Sequence, residues 1–119
     1  MIPKRVLLVE DDFMLSLISK KHIELMGHEV VATAANSEDA IKAAKEHKPD
    51  VMIMDIRLNG TTDGIDTAKE IAKFSSAPVI YLSGTSDDEN QKRAAETNML
   101  AFFVKPVSLE QLQKHFSKL

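Results

Sequence analysis

The sequence contains no cysteine and no tryptophan, and it has only four glycines and four prolines among its 119 residues. The lack of cysteine excludes disulfide bonds, thiolate metal sites and cysteine nucleophiles. The small share of glycine and proline excludes collagen-like and low-complexity chains, and it is typical of an ordinary globular protein. We therefore expect a single domain over residues 1–119 with its own apolar core.

Long apolar runs and an excess of positive charge are also absent. The apolar runs are too short for a membrane span, and Met1 is not followed by a signal-peptide pattern. The formal net charge is −3, whereas domains that bind nucleic acids usually carry a basic stripe. These absences predict a cytoplasmic protein without direct contacts to nucleic acid or membrane. Without a secretory signal, the glycosylation sequon at Asn59 is interpreted as a turn.

Short apolar runs alternate along the chain with stretches of helical spacing. Continuous apolar runs are typical of strands that are covered on both faces, as in parallel sheets. The four strong runs are 6–9, 51–54, 79–82 and 100–104, and a weaker run at 29–34 is expected to be an edge strand. This alternation predicts an α/β fold with a five-stranded parallel sheet, helices on both faces and right-handed crossovers.

Helix-start and helix-end signals separate the predicted strands. The first helix is predicted from an apolar stripe that ends before Gly27 and consists of Met14, Leu17, Ile18 and Leu25. Ser37 is the predicted cap of the second helix, and Ser108 with Gln111 predicts a capping box at the last one. The fourth helix, over about residues 87–97, has few apolar residues and is expected to be the loosest element.

Polar residues follow the apolar runs at the carboxyl ends of the strands, where ligands bind in open α/β sheets. Carboxylates that converge there repel one another, and a hard cation such as Mg²⁺ relieves the repulsion. A hydroxyl and an amine at the same edge add donors suited to phosphate. The residues are Glu10, Asp11 and Asp12 after the first run, Asp55 after the third, Ser83 after the fourth and Lys105 after the fifth.

This pattern leads to the hypothesis that Asp11 and Asp12 hold Mg²⁺ beside Asp55. Each residue also has a simpler interpretation when it is taken alone. The helix dipole favours carboxylates at a helix start, Ser83 could cap a helix, and Lys105 could be a solvated charge. Turns and caps require no correlation between distant strands, so their joint occurrence at four strand ends favours a shared site.

The segments around these positions resemble the response-regulator receiver domains of two-component signalling. The resemblance extends over essentially the whole chain, and the segments that carry it are LLVEDD, VMIMDIRLNGTTDGI, PVIYLSG and AFFVKP. It implies a flavodoxin-like sheet with the strand order 2-1-3-4-5.

The resemblance also implies a function for the acidic residues. Asp55 is expected to accept a phosphoryl group from the phosphohistidine of a histidine kinase or a histidine phosphotransfer protein. Mg²⁺ is expected to bind Asp12, Asp55 and the backbone carbonyl of Arg57, with Asp11 acting largely through water. Phosphoryl transfer of this kind depends on positioning and charge neutralisation.

The resemblance assigns the remaining residues to the phosphoryl group and to a switch. Ser83 is expected to hydrogen-bond the phosphoryl oxygens, in a position where many family members have threonine, and Lys105 is expected to pair with them. The Lys105–Pro106 peptide bond is expected to be cis. Phe102 stands where the family has an aromatic residue that changes rotamer on activation, which would alter a surface for a downstream effector protein.

Two other functions fit parts of the pattern. Phosphohydrolases of the haloacid dehalogenase type also use an aspartate nucleophile after a strand, but they carry a second aspartate two residues later, where this chain has Arg57. A pseudo-receiver would keep the fold as an interaction module without phosphorylation. The function expected here is a phosphorylated signalling receiver that is not an enzyme apart from its own phosphorylation and dephosphorylation.

Overall fold

A computed structural model describes residues 2–58 and 60–119, so that the turn predicted at Asn59 falls outside the described residues. The strands are Arg5–Val9 (β1), Glu29–Ala34 (β2), Val51–Asp55 (β3), Val79–Ser83 (β4) and Met99–Val104 (β5). The helices are Phe13–Leu25 (α1), Ser37–His47 (α2), Gly64–Ile71 (α3), Asp88–Ala95 (α4) and Leu109–Phe116 (α5). None of the helices within the described ranges is long and apolar enough to span a bilayer.

The strands form one parallel sheet in the order β2-β1-β3-β4-β5. This confirms the predicted α/β fold, the strand order and the edge position of β2. β1 and β3 are neighbours at the place where the strand order reverses, and Val9 pairs there with Met54. The carboxyl ends of these two strands therefore lie side by side, at the position where open α/β sheets bind ligands.

Apolar side chains cover both faces of the sheet, because successive residues of a strand point to opposite sides. In β1, Leu7 and Val9 pack in a cluster with residues of α2 and α3, whereas Val6 and Leu8 pack in a second cluster with residues of α1 and α5. All four side chains are fully buried. This two-sided burial explains why the strands appear in the sequence as continuous apolar runs.

The helix caps agree with the sequence at α5 and differ by one residue at α2. The Gln111 amide donates to the Ser108 hydroxyl and the Ser108 amide donates to the Gln111 side chain, at 3.1 and 2.9 Å, which confirms the capping box. The cap of α2 is Asn36, whose side chain accepts the Asp39 amide at 2.8 Å. The predicted cap Ser37 is the first helical residue instead, because asparagine and serine cap equally well and the extended backbone at Asn36 decides between them.

The apolar stripe predicted for α1 faces the solvent. Its four residues are between 46% and 65% exposed. The side of α1 that faces the sheet carries Ile23, the only buried residue of this helix, together with the half-buried Ser16 and Ser19. These two serines are small enough to let the first turns lie on the sheet, so the large apolar residues are left on the outer face. The sequence thus predicted the helix correctly, but the apolar stripe that indicated it does not mark the buried face.

Candidate functional site

A cleft of about 720 Å³ lies at the carboxyl ends of β1, β3 and β4. It is lined by all of the predicted metal-binding and phosphoryl-contacting residues, namely Asp11, Asp12, Asp55, Arg57, Ser83 and Lys105. Side chains from four strand ends thus meet at one edge, as the sequence predicted. The contacts inside the cleft show what each of them can do.

Lys105 joins the two most buried carboxylates of the cleft. Its Nζ atom donates to Asp55 Oδ2 at 2.7 Å and to Glu10 Oε1 at 3.0 Å. The side chains of Asp55 and Glu10 are only 4% and 2% exposed, so their charges need a partner in place of water. The Lys105–Pro106 peptide bond is cis, as predicted. Lys105 therefore supplies the positive charge that pairs with these two carboxylates.

Three carboxylates form a group that can hold a metal ion. One oxygen each from Glu10, Asp11 and Asp55 lies within 4.8 Å of the others. Burial raises the pKa of Glu10, and the hydrogen bond and charge of Asp55 raise it further. Burial and the neighbouring Glu10 also raise the pKa of Asp11. Such raised pKa values are typical of crowded carboxylates, and oxygen ligands of this type suit hard cations such as Mg²⁺.

The position of Asp12 differs from the one expected for a metal ligand. Its carboxylate accepts the Leu15 amide at 3.1 Å and caps α1, and its own amide donates to Glu10 Oε2 at 3.1 Å. Asp12 therefore lines the cleft outside the carboxylate group, and Glu10 stands beside Asp11 in its place. The reason is that Glu10 continues the course of β1, since its amide still donates to the carbonyl of Ala34 at 2.9 Å.

The backbone after Asp55 turns closely around the carboxylate. Asp55 Oδ1 accepts the Arg57 amide at 3.2 Å, and the Gly64 amide donates to the Ile56 carbonyl at 2.7 Å. A Cβ atom at Gly64 would collide with the backbone carbonyl of Asp55. This close approach of Gly64 was not predicted, because the Asp63–Gly64 pair indicates only a turn in the sequence.

The predicted switch residues lie on the two neighbouring strands β4 and β5. Ser83 is buried, and its hydroxyl donates to the Thr85 carbonyl at 2.7 Å and accepts the Thr85 amide at 3.2 Å. Phe102 is half-buried and pairs with Tyr81, two residues before Ser83, with ring centroids 6.5 Å apart. Tyr81 and Ser83 point to the same face of the sheet, because residues two apart on a strand share a face. Phe102 is the neighbour of Tyr81 on β5, so it lies one side-chain position away from Ser83 on that face.

The sequence and the fold both match a known family. The family model of the response regulator receiver domain matches residues 6–117. This chain belongs to that family. Receiver domains of response regulators are signalling modules of two-component systems, which agrees with the prediction from the sequence. The acidic cleft at the strand ends is accordingly the candidate functional site of a receiver domain.

Two curated relatives illustrate the range of the family. The receiver domain is 35% identical over 111 residues to the transcriptional regulatory protein PdtaR of Mycobacterium tuberculosis, which covers 93% of this chain and 54% of that protein. It is 33% identical over 116 residues to the chemotaxis protein CheY of Thermotoga maritima, which covers 97% of this chain and 96% of that protein. The chain thus spans about half the length of the first relative and nearly all of the second.

Solved structures share the fold over almost the entire chain. The signal receiver domain of a modulated diguanylate cyclase from Desulfovibrio desulfuricans G20 has a TM-score of 0.90 at 29% identity, with 98% of this chain and 93% of that chain covered. A chain of the CheX–CheY–BeF3–Mg²⁺ complex from Borrelia burgdorferi also has a TM-score of 0.90, at 26% identity, with 98% and 89% covered. These likenesses confirm the predicted flavodoxin-like receiver fold.

Proposed function

We propose that Asp55 accepts a phosphoryl group from the phosphohistidine of a histidine kinase or a histidine phosphotransfer protein. The observation that carries this proposal is the Asp55 carboxylate in a polar cleft, 2.7 Å from Lys105 and grouped with two further carboxylates. In the reaction, a carboxylate oxygen attacks phosphorus and forms the new O–P bond. The P–N bond of the phosphohistidine breaks, and its electron pair stays on the imidazole nitrogen.

Lys105 and Ser83 have the geometry to receive the phosphoryl oxygens. Lys105 already contacts the acceptor and supplies a positive charge, which is what a phosphoryl transfer site needs most from the protein. The Ser83 hydroxyl is held by the backbone of Thr85 in the same cleft. By rotating away from the Thr85 carbonyl it can donate to a phosphoryl oxygen. Ser83 then responds to the state of Asp55.

Asp11, Asp55 and the backbone carbonyl of Arg57 are the proposed ligands of Mg²⁺, and Glu10 acts through water. Both carboxylate oxygens of Glu10 already accept hydrogen bonds, from Lys105 and from the Asp12 amide, which leaves Asp11 as the freer ligand. When it is bound, Mg²⁺ neutralises charge on the phosphoryl oxygens. The related complex from Borrelia burgdorferi contains Mg²⁺ together with BeF3, which supports Mg²⁺ as the ion.

The outer side of α1 supports a protein as the phosphodonor. We call this surface the α1 face; it consists of Phe13, Met14, Leu17, Ile18 and Leu25, all at least 46% exposed. It adjoins the cleft, because Asp12 and Leu15 at the start of α1 line that cleft. A contiguous apolar surface of this kind marks a contact site for a protein. A domain that carries phosphohistidine can pack on the α1 face while its histidine reaches Asp55.

The downstream partner is a protein that binds the surface made by α4, β5 and α5. We propose that phosphorylation draws the Ser83 hydroxyl inward and that the half-buried Phe102 moves into the space beside it. Only Ala94 of α4 is buried, so this helix can shift at a low cost in free energy. We further propose that residues 1–119 act as one receiver domain in the cytoplasm.

Intact-mass spectrometry after incubation with acetyl phosphate and Mg²⁺ tests the proposed acceptor. We expect one added phosphoryl group on the wild type and none on Asp55→Asn. Asp88→Asn is the matched control, because Asp88 is an exposed aspartate at the start of α4, and it should be labelled like the wild type. Removal of Mg²⁺ by a chelator should stop labelling. Equal labelling of Asp55→Asn and the wild type would show that another residue is the acceptor.

A further inference from the structure

α4 is attached to the domain mainly by polar contacts. Ala94 is its only buried residue, and most of its other side chains are charged or polar. At its carboxyl end, the Tyr81 hydroxyl meets the Thr97 hydroxyl at 2.7 Å, and the latter donates to the Ala94 carbonyl at 2.6 Å. These bonds tie the end of α4 to β4. The same last turn of the helix has a second anchor, which joins it to α3.

Arg93 provides that anchor through the start of α3. Its guanidinium group donates to the two carboxylate oxygens of Asp63 at 2.9 and 3.3 Å, and to Asp66 at 3.2 Å. Arg93 and Asp63 are 30% and 31% exposed, so the pair is partly shielded from water. A forked arginine–carboxylate contact fixes orientation as well as distance. The turn of α4 that contains Arg93 is therefore held in one position relative to α3.

The electrostatic state of Asp63 agrees with this geometry. Burial alone would raise its pKa, but hydrogen bonds from Arg93 and from the Asp66 amide outweigh burial and lower it. Asp63 is therefore ionised at neutral pH and keeps its charge for the contact with Arg93.

The anchor on α3 is joined directly to the loop that follows Asp55. Asp63 caps α3 by accepting the Asp66 amide at 2.9 Å. The next residue, Gly64, bonds to the Ile56 carbonyl and lies against the backbone of Asp55 with no room for a side chain. A movement at Asp55 thus reaches Asp63 through a short and tightly packed segment, and from there it reaches Arg93.

We propose that Arg93 is a positioning residue that latches α4 to the loop following Asp55 and restrains the movement of α4 that accompanies phosphorylation. The link to phosphorylation rests on the function proposed above for Asp55. A ligand shifts the equilibrium between two positions of α4 only if it binds more tightly to the domain in one of them. A latch that favours the resting position therefore lowers the affinity of the domain for a phosphoryl group or its mimic.

Amide hydrogen exchange of the ligand-free protein tests the latch itself. Arg93→Gln removes the fork, and Asp63→Asn removes the charge while keeping a good helix cap. We expect either variant to speed exchange in residues 88–95 about two- to fivefold, the range that a partly exposed ion pair supplies. The double variant should do no more than Arg93→Gln alone, because Arg93→Gln already removes the contact that Asp63→Asn weakens. Amides of β1 and β3 should be unaffected.

The neighbouring exposed cation Lys92 provides a matched control, since Lys92→Gln makes the same change of charge on the same helix. It should leave exchange in α4 as in the wild type. Unchanged exchange of residues 88–95 in Arg93→Gln, or an equal effect of Lys92→Gln, would overturn the latch.

The affinity for beryllofluoride in the presence of Mg²⁺ tests the link to the switch, by fluorine NMR. We expect Arg93→Gln to bind beryllofluoride more tightly than the wild type does. The gain in affinity should be at most the factor by which the variant speeds amide exchange in α4. Unchanged or weaker binding would overturn the coupling, because a purely structural contact does not favour the bound state when it is lost. Failure of the wild type to bind beryllofluoride at all would refute the proposed function, and faster α4 exchange in ligand-free Arg93→Gln would still establish the anchor.

Discussion

Replacing Lys105 by methionine removes the only positive charge that contacts the buried carboxylates of Asp55 and Glu10 among the described residues. Methionine keeps most of the aliphatic stem, so the change isolates the charge. The lost contacts measure 2.7 and 3.0 Å, between carboxylates that are almost fully buried. We expect a marked loss of stability in the absence of divalent cations.

The size of this loss follows from two opposing contributions. At an effective dielectric constant of about 20, each contact has a Coulomb energy of roughly 6 kcal/mol. Dehydration of the three charges offsets most of this attraction, and breaking a buried pair from one side typically costs about 3–5 kcal/mol. Lys105 is 24% exposed, so water can enter where its amine was. We therefore expect Lys105→Met to lower the free energy of unfolding by about 2–4 kcal/mol at neutral pH.

The loss should shrink at low pH and in the presence of Mg²⁺. Burial and Asp55 raise the pKa of Glu10 above its ordinary value of 4.5, while Lys105 acts to lower it. Without Lys105 this pKa rises further. A carboxyl group whose pKa is higher in the folded state binds its proton more tightly there, so the variant regains stability as the pH falls through that pKa. Mg²⁺ replaces the missing charge and should stabilise the variant more than the wild type.

Urea denaturation followed by circular dichroism measures these differences at about pH 8 and about pH 5, with and without Mg²⁺. Lys114→Met, which changes an exposed lysine of α5, is the matched control and should behave like the wild type in all conditions. Equal stability of Lys105→Met and the wild type at the higher pH would refute the reasoning. So would an equal gain from Mg²⁺ in the two proteins, because the ion would then not compensate for the lost charge.

Three further predictions concern the metal, a buried histidine and a glycine. In a calorimetric titration, Asp11→Asn should weaken Mg²⁺ binding about tenfold or more. Asp12→Asn should change the binding little, because asparagine also caps α1. A larger loss in Asp12→Asn than in Asp11→Asn would show that Asp12 is the ligand. The pKa of His28 is lowered by burial and by Lys4, so its contribution to stability is complete above about pH 6.5 and is lost as the pH falls below that value; His28→Gln should flatten this pH dependence in urea denaturation, and an unchanged slope would contradict it. Gly64→Ala should destabilise the domain by about 2 kcal/mol or more, because its Cβ collides with the backbone of Asp55, whereas Gly84→Ala, with open space around it, should be close to neutral; equal melting temperatures of the two variants would argue against the close approach.

The sheet was predictable because its central strands give the same strong signal. β1, β3 and β4 are buried on both faces and appear as continuous apolar runs, whereas the edge strand β2 gives only a weaker run. The turn and cap residues between the runs mark the helices. The buried face of α1 was not predictable from the same rule. A stripe of large apolar residues marks the buried face of a helix only if that stripe is not used to bind another protein. In α1, Ser16, Ser19 and Ile23 face the sheet instead. Hydrophobic spacing predicts where a helix lies in the sequence. It does not determine which face is buried when either face could pack on the sheet.

The choice between Glu10 and Asp12 shows where sequence reasoning about a site reaches its limit. Three successive carboxylates point in different directions, and only the exact end of β1 and the exact start of α1 decide which of them face Asp55. The capping rule contained the missing information: an aspartate immediately before a helix tends to accept an amide of its first turn, as Asp12 does from Leu15. Since one carboxylate is used in the cap, the two that remain, Glu10 and Asp11, are those that group with Asp55. Applied together, the strand end and the cap would have placed Glu10 beside Asp55, whereas the contact of Arg93 with Asp63 depends on two loops whose course the sequence does not determine.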